Sequence, residues 1–60
     1  MGYTMKLLKE YLEHALAFES LAAQQNDPEI RAQFEQQATS YRKLAAERAE
    51  RLKLPLPSLA

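Results

Sequence analysis

Few residues of this 60-residue chain could do chemistry, and the single histidine, His14, is the first to consider. Glu10 lies one helical turn before it, and carboxylate–histidine pairs on bundle helices can bind metal ions. Di-iron bundle proteins use Glu-x-x-His, however, and Tyr11 stands three residues before His14. We therefore expect no metal and no cofactor, with His14 at the edge of an apolar face beside Leu7 and Leu21. Adventitious metal binding between two copies is the lesser alternative.

Catalytic groups are equally sparse. The chain has no cysteine and one glycine, so it lacks both a thiol nucleophile and a glycine-rich phosphate loop. Ser20, Ser40 and Ser58 have no base to activate them, because His14 alone cannot serve serines on other parts of a helical chain. No residue is predicted to be catalytic, and we expect the chain not to be an enzyme.

A basic stretch near the C-terminus is the strongest candidate for binding nucleic acid. Arg42, Lys43 and Arg51 lie off the apolar stripe and could contact phosphates. Glu47 and Glu50 are interleaved with them, which is typical of an ordinary solvated helix face. Because eight basic and eight acidic residues cancel over the whole chain, no overall field favours nucleic acid or an anionic membrane.

The elements that carry these residues are predicted to be two amphipathic helices and a tail. Apolar residues at helical spacing indicate a first helix at about 4–25, with Thr4 as its N-cap. Asp27 can cap a second helix at about 28–53, and Pro28 suits its first position. Residues 54–60 contain two prolines and are predicted to be extended. The sequence therefore predicts one all-α domain, 1–60, folded as an antiparallel two-helix hairpin.

The hairpin is predicted to need a partner. The apolar arc of the first helix spans roughly 220°, about twice what a helix with one neighbour requires. Sixty residues also provide a marginal core, and disulfides cannot supplement it. We therefore expect two copies to pair into a four-helix bundle. The predicted interface comprises Leu8, Tyr11, Leu12, Phe18, Phe34, Gln37, Tyr41 and Leu44.

Charge predicts the orientation of that pair. Basic residues concentrate at the open end of the hairpin and acidic residues towards the turn, so an antiparallel dimer places opposite charges together. Glu19 and Arg48 interrupt the apolar stripes and are roughly 19 Å apart along the axis within one hairpin. In the antiparallel dimer that offset falls to roughly 7 Å, which predicts an interchain ion pair. Gln37 would lie near its symmetry mate and could fix the register.

The segment from Phe18 to Arg48 resembles a group of short, uncharacterised bacterial helical-hairpin proteins. The resemblance rests on the Asp27-Pro28-Glu29 turn and the Tyr-Arg-x-Leu-Ala segment at 41–45, and it extends over about residues 10–52. It implies a hairpin fold and no activity. By architecture alone the chain is also similar to the Rop family of plasmid RNA-binding hairpin dimers, with which it shares no motif.

These observations predict a cytoplasmic, non-enzymatic association module that pairs with itself. Another helical protein is the alternative partner. The alternative function is Rop-like RNA binding through Arg42, Lys43 and Arg51. No segment reaches the ~20 apolar residues that a membrane-spanning helix needs.

Overall fold

The computed structural model describes the backbone of residues 2–57 and the side chains of residues 4–57. Two helices, α1 (Gly2–Gln24) and α2 (Pro28–Leu52), pack along their lengths as an antiparallel hairpin. The predicted all-α hairpin is thus confirmed. Each helix begins and ends within two residues of its predicted position. The prediction that Thr4 is the N-cap of α1 is wrong, because Thr4 lies inside the helix.

The turn between the helices is closed by hydrogen bonds from both sides. Asp27 has an extended backbone, and its Oδ1 accepts from the backbone N–H groups of Glu29 and Ile30 at 2.9 and 3.4 Å. These bonds satisfy donors that the first turn of α2 leaves unpaired. Arg31 donates from Nε and Nη2 to the Gln25 carbonyl at 3.1 and 2.9 Å. The end of α1 is therefore tied to the start of α2.

The end of α2 is a left-handed cap. Lys53 has φ 56° and ψ 42°, its N–H bonds to the Glu50 carbonyl, and the N–H of Leu54 bonds to the Ala49 carbonyl. This pair of bonds is the Schellman pattern, in which glycine is the usual left-handed residue. Residues 54–57 of the tail follow without regular structure, and its predicted extension over 58–60 lies outside the described residues.

The seam between the helices is built mainly of alanine. Leu8, Ala15 and Ala22 recur every seven residues on α1, and Ala38 and Ala45 do so on α2. All five are at most 3% exposed. Small side chains at a heptad spacing let two helices approach closely over several turns. Among the described residues, Leu8 is the one large side chain that is fully buried.

The hairpin exposes more surface than a compact protein of its size. Its accessible area is 4678 Å², whereas roughly 4,000 Å² is typical for a compact chain of this mass. The excess follows from its elongated outline of 40 × 19 × 15 Å and from leucines left at the flanks of the seam. Neither helix, as far as the structure describes them, is long and apolar enough to cross a membrane.

The left-handed conformation of Lys53 predicts a stabilising substitution. A Cβ disfavours this conformation and glycine does not, so Lys53→Gly should stabilise the fold by up to about 1 kcal/mol relative to Lys53→Ala. Both variants remove the same charge from the end of α2, which makes alanine the matched control. Urea unfolding at one protein concentration measures the difference. A glycine variant no more stable than the alanine variant would contradict the cap.

Candidate association surface

An aromatic cluster lies along one flank of the seam, with Tyr41 at its centre. The Tyr41 ring lies 5.0 Å from His14, 5.8 Å from Phe18 and 6.3 Å from Tyr11, measured between ring centroids. Phe18 also approaches Phe34 at 6.1 Å. These separations are those of favourable aromatic pairs. The four Tyr and Phe side chains are only half-buried, and His14 is exposed.

The direction in which helical side chains tilt explains which rings meet. Each Cα–Cβ bond leans towards the N-terminus of its helix, so side chains of α1 lean away from the turn and those of α2 lean towards it. Phe18 is the nearer of the two to the turn. It lies six residues before the end of α1, whereas Tyr41 lies thirteen residues after the start of α2. They lean towards each other, and their rings stack with an angle of 14° between planes.

Exposed apolar side chains extend this cluster to either side. Leu21 follows Phe18 by three residues, Ile30 precedes Phe34 by four, and Leu44 follows Tyr41 by three, so each shares a flank with the aromatic residue. Their exposed fractions lie between 39% and 45%. We call this surface the aromatic face. It consists of Tyr11, His14, Phe18, Leu21, Ile30, Phe34, Gln37, Tyr41 and Leu44.

The opposite flank carries an ion pair across the two helices. Arg42 donates from Nε to Oε2 of Glu19 at 2.6 Å and from Nη2 to Oε1 at 2.8 Å. Glu19 and Arg42 each follow a residue of the Phe18–Tyr41 stack, and one residue turns a helix by about 100°, which moves both to the other side of the seam. Leu16 lies one turn before Glu19 and shares this flank. We call this surface the charged face. It consists of Leu16, Glu19, Arg31, Glu35 and Arg42.

The ion pair shifts both titrations. Hydrogen bonds from Arg42, with its positive charge, hold the pKa of the Glu19 carboxyl below its ordinary value of 4.5, against a smaller opposing effect of desolvation. The same bonds raise the pKa of the Arg42 guanidinium. Both side chains remain more than 40% exposed, so solvent screens the pair and limits its contribution to stability.

Several predicted interface residues have a place within the single chain. Leu8 and Leu12 are buried in the seam between α1 and α2, at 0% and 7% exposure, so they belong to the intramolecular core. The other six predicted residues lie on the aromatic face. They are Tyr11, Phe18, Phe34, Gln37, Tyr41 and Leu44.

Glu19 bonds to Arg42 of its own chain, and not to Arg48. Arg48 follows Tyr41 by seven residues and therefore lies on the flank of the aromatic face, away from Glu19. The interchain pair of Glu19 with Arg48 stays a prediction, and it would require Glu19 to release Arg42. The observed pair could have been found by considering that long side chains tilt towards the N-terminus of their helix, which directs Glu19 and Arg42 towards each other across the seam.

The three basic residues proposed for nucleic acid do not share one surface. Arg42 and Arg51 are nine residues apart, which places them about 180° apart around α2. Lys43 is exposed, as are both arginines, but Arg42 is already bonded to Glu19. A phosphate backbone running along one side of α2 could therefore reach only part of the set.

His14 stacks on Tyr41 at 5.0 Å instead of lying only against aliphatic neighbours. No three His, Cys, Asp or Glu side chains come together as metal ligands in the part of the chain that the structure describes.

Two shallow cavities lie between α1 and the later part of the chain, which comprises α2 and the tail that follows it. One, of about 360 Å³, lies on the charged face beside Ala22 and Ala23. The other, of about 430 Å³, lies at the open end between Met5 and Leu54.

The Glu19–Arg42 pair predicts a pH-dependent difference between the native chain and Glu19→Gln. A carboxyl whose folded pKa is lowered stabilises the fold fully above its ordinary value and loses this contribution as pH falls through the lowered value. At pH 7 the variant should be less stable by up to about 1 kcal/mol, the range of exposed ion pairs. Urea unfolding at pH 7 and well below pH 4.5 should show the difference shrinking in acid. Glu13→Gln is the control, and an unchanged difference in acid would contradict this prediction.

Comparison with known proteins identifies no relative. No family model, no curated protein and no solved structure matches the chain. The resemblance to short bacterial hairpin proteins therefore stays a hypothesis, and function must be inferred from the surfaces themselves.

Proposed function

We propose that this chain is a non-enzymatic helical association module that acts by pairing with a second copy of itself to form a four-helix bundle. One observation carries the proposal. The seam between α1 and α2 is composed mainly of alanine, while the larger apolar and aromatic side chains lie at its flanks, half-buried or exposed. A second hairpin would supply the apolar surface that these side chains lack.

The size of the chain supports the same proposal. A domain of about 60 residues has a marginal core even when it is compact, and this hairpin is elongated. Without cysteine, it has no disulfide to compensate. Full burial of an exposed large apolar side chain contributes roughly 1.5–3 kcal/mol, and the flank leucines and isoleucine are still 39–45% exposed, so covering several of them would add roughly 1 kcal/mol each.

The basic residues of α2 are poorly arranged for binding RNA. RNA binding would require the cations of α2 to act together, yet Arg42 and Arg51 diverge around the helix and Arg42 is bonded to Glu19. The exposed Lys43 and Arg51 are consistent with a solvated face. A gel shift with structured RNA that weakened steeply with salt would instead support RNA binding.

Sedimentation equilibrium tests the association directly. We expect a mass twice that of the 6.9 kDa chain at micromolar concentrations, with helicity and thermal stability that fall on dilution, because dissociation is coupled to loss of stability. The dilution series is its own control, since a stable monomer shows no dependence on concentration. A fully helical monomer at every concentration would overturn the proposal.

A further inference from the structure

We infer that the aromatic face, and not the charged face, is the surface that receives the second copy, and that the two hairpins pack in antiparallel orientation. This inference rests on the proposed self-association and adds the surface and the geometry. The area of this face and the charges around it both fit a second copy of the chain.

The broad side of the hairpin that carries the aromatic face is large enough for a stable dimer. This whole side measures 40 × 19 Å, or roughly 760 Å² in projection, and the aromatic face occupies the part from the turn to the middle of the hairpin. Specific interfaces typically bury about 800 Å² on each partner. Another hairpin of the same length would therefore cover the whole aromatic face, and a short peptide would leave much of it in water.

The composition of the face also distinguishes it from the opposite side. The nine residues of the aromatic face include no formally charged side chain, although Arg48 adjoins them, whereas the charged face holds Glu19, Arg42, Arg31 and Glu35. Aromatic residues are enriched at the centres of protein interfaces, and charged residues are depleted there. Covering the charged face would instead desolvate an ion pair, which costs free energy.

The position of the cluster suits a twofold axis. Tyr11 lies thirteen residues before the end of α1 and Tyr41 lies thirteen residues after the start of α2, near the middle of the hairpin. An axis through this point would bring Tyr11 and Tyr41 against their own counterparts, which is the self-complementary arrangement of a twofold dimer. Gln37, one turn before Tyr41, would then lie roughly 12 Å along the bundle from its counterpart in the second copy.

Charges at the two ends of the hairpin determine the orientation. Arg48 and Arg51 lie at the open end, twenty and twenty-three residues after the start of α2, while Asp27 and Glu29 lie at the turn. In antiparallel packing the open end of one copy lies beside the turn of the other, so opposite charges meet. Parallel packing would set these arginines beside their own counterparts, which is unfavourable.

Two leucines of α1 provide a matched test of the face. Leu16 and Leu21 have the same exposed fraction of 44% and lie on opposite flanks of the seam, Leu16 on the charged face and Leu21 on the aromatic face. Leu21→Lys should weaken self-association at least about tenfold, because it places a charge inside the interface. Leu16→Lys should leave the association constant within about twofold. Sedimentation measures both, and circular dichroism at the same concentrations verifies that each variant remains helical.

Leu44→Lys repeats the test from α2, where Leu44 is 45% exposed, in case Leu21→Lys fails to fold. A dimer weakened by Leu16→Lys but not by either substitution on the aromatic face would overturn the inference and leave self-association intact. A native chain that is monomeric throughout would instead overturn the proposed function. The two failures are thus distinguishable.

A spin label tests orientation, since the chain has no cysteine to compete with an introduced one. Asn26→Cys places the label at the exposed turn. Asn26 lies fifteen residues, or roughly 22 Å, from the level of Tyr11, so antiparallel packing about the proposed axis should separate the two labels by about 45 Å, at opposite ends of the bundle. Parallel packing would bring them within about 20 Å, and that result would overturn the proposed orientation.

Discussion

The alanine seam is the constraint on which the rest of this structure depends. Two helices that meet through Ala15, Ala22, Ala38 and Ala45 can approach closely, but they bury little side-chain volume between them. Apart from Leu8 and Leu12, the large apolar residues lie at the flanks, where one helix alone cannot cover them. An interior built from leucine would hold the helices further apart and enclose more of the apolar surface. The small side chains of the seam therefore account for both the small interior and the apolar flanks of this hairpin.

Close packing also explains why the two flanks differ so sharply. On each helix, consecutive residues fall on opposite sides of a narrow seam, so Phe18 and Glu19 separate, as do Tyr41 and Arg42. The rings then stack on one side, while the carboxylate and the guanidinium bond on the other. Both pairs depend on side chains that tilt towards each other along antiparallel axes. A hairpin of only two helices thereby acquires an apolar side and a polar side.

Much of the fold could be predicted from local sequence signals. Asp27 and Pro28 mark the start of α2 through capping and the fixed proline φ, and Pro55 limits its end. The sequence does not predict the Glu19–Arg42 pair, because residue numbers give the level of each backbone position along the axis and not the tilt of long side chains. The division between Leu8, which is buried, and Tyr41, which is half-exposed, was also missed. A single apolar stripe does not distinguish seam from flank, although the seven-residue recurrence of alanine is a signal that could have done so.

The bond from Arg31 to the Gln25 carbonyl bears on how the chain folds. Together with the Asp27 cap, it joins groups no more than six residues apart, so these contacts close a short loop at little entropic cost. Contacts of this kind form early, and pairing of the helices can then proceed outwards from the turn towards the open end. Met5 and Leu54 line one cavity at the far end. In this order of events we expect the open end to be the last part of the hairpin to fold and the first to unfold.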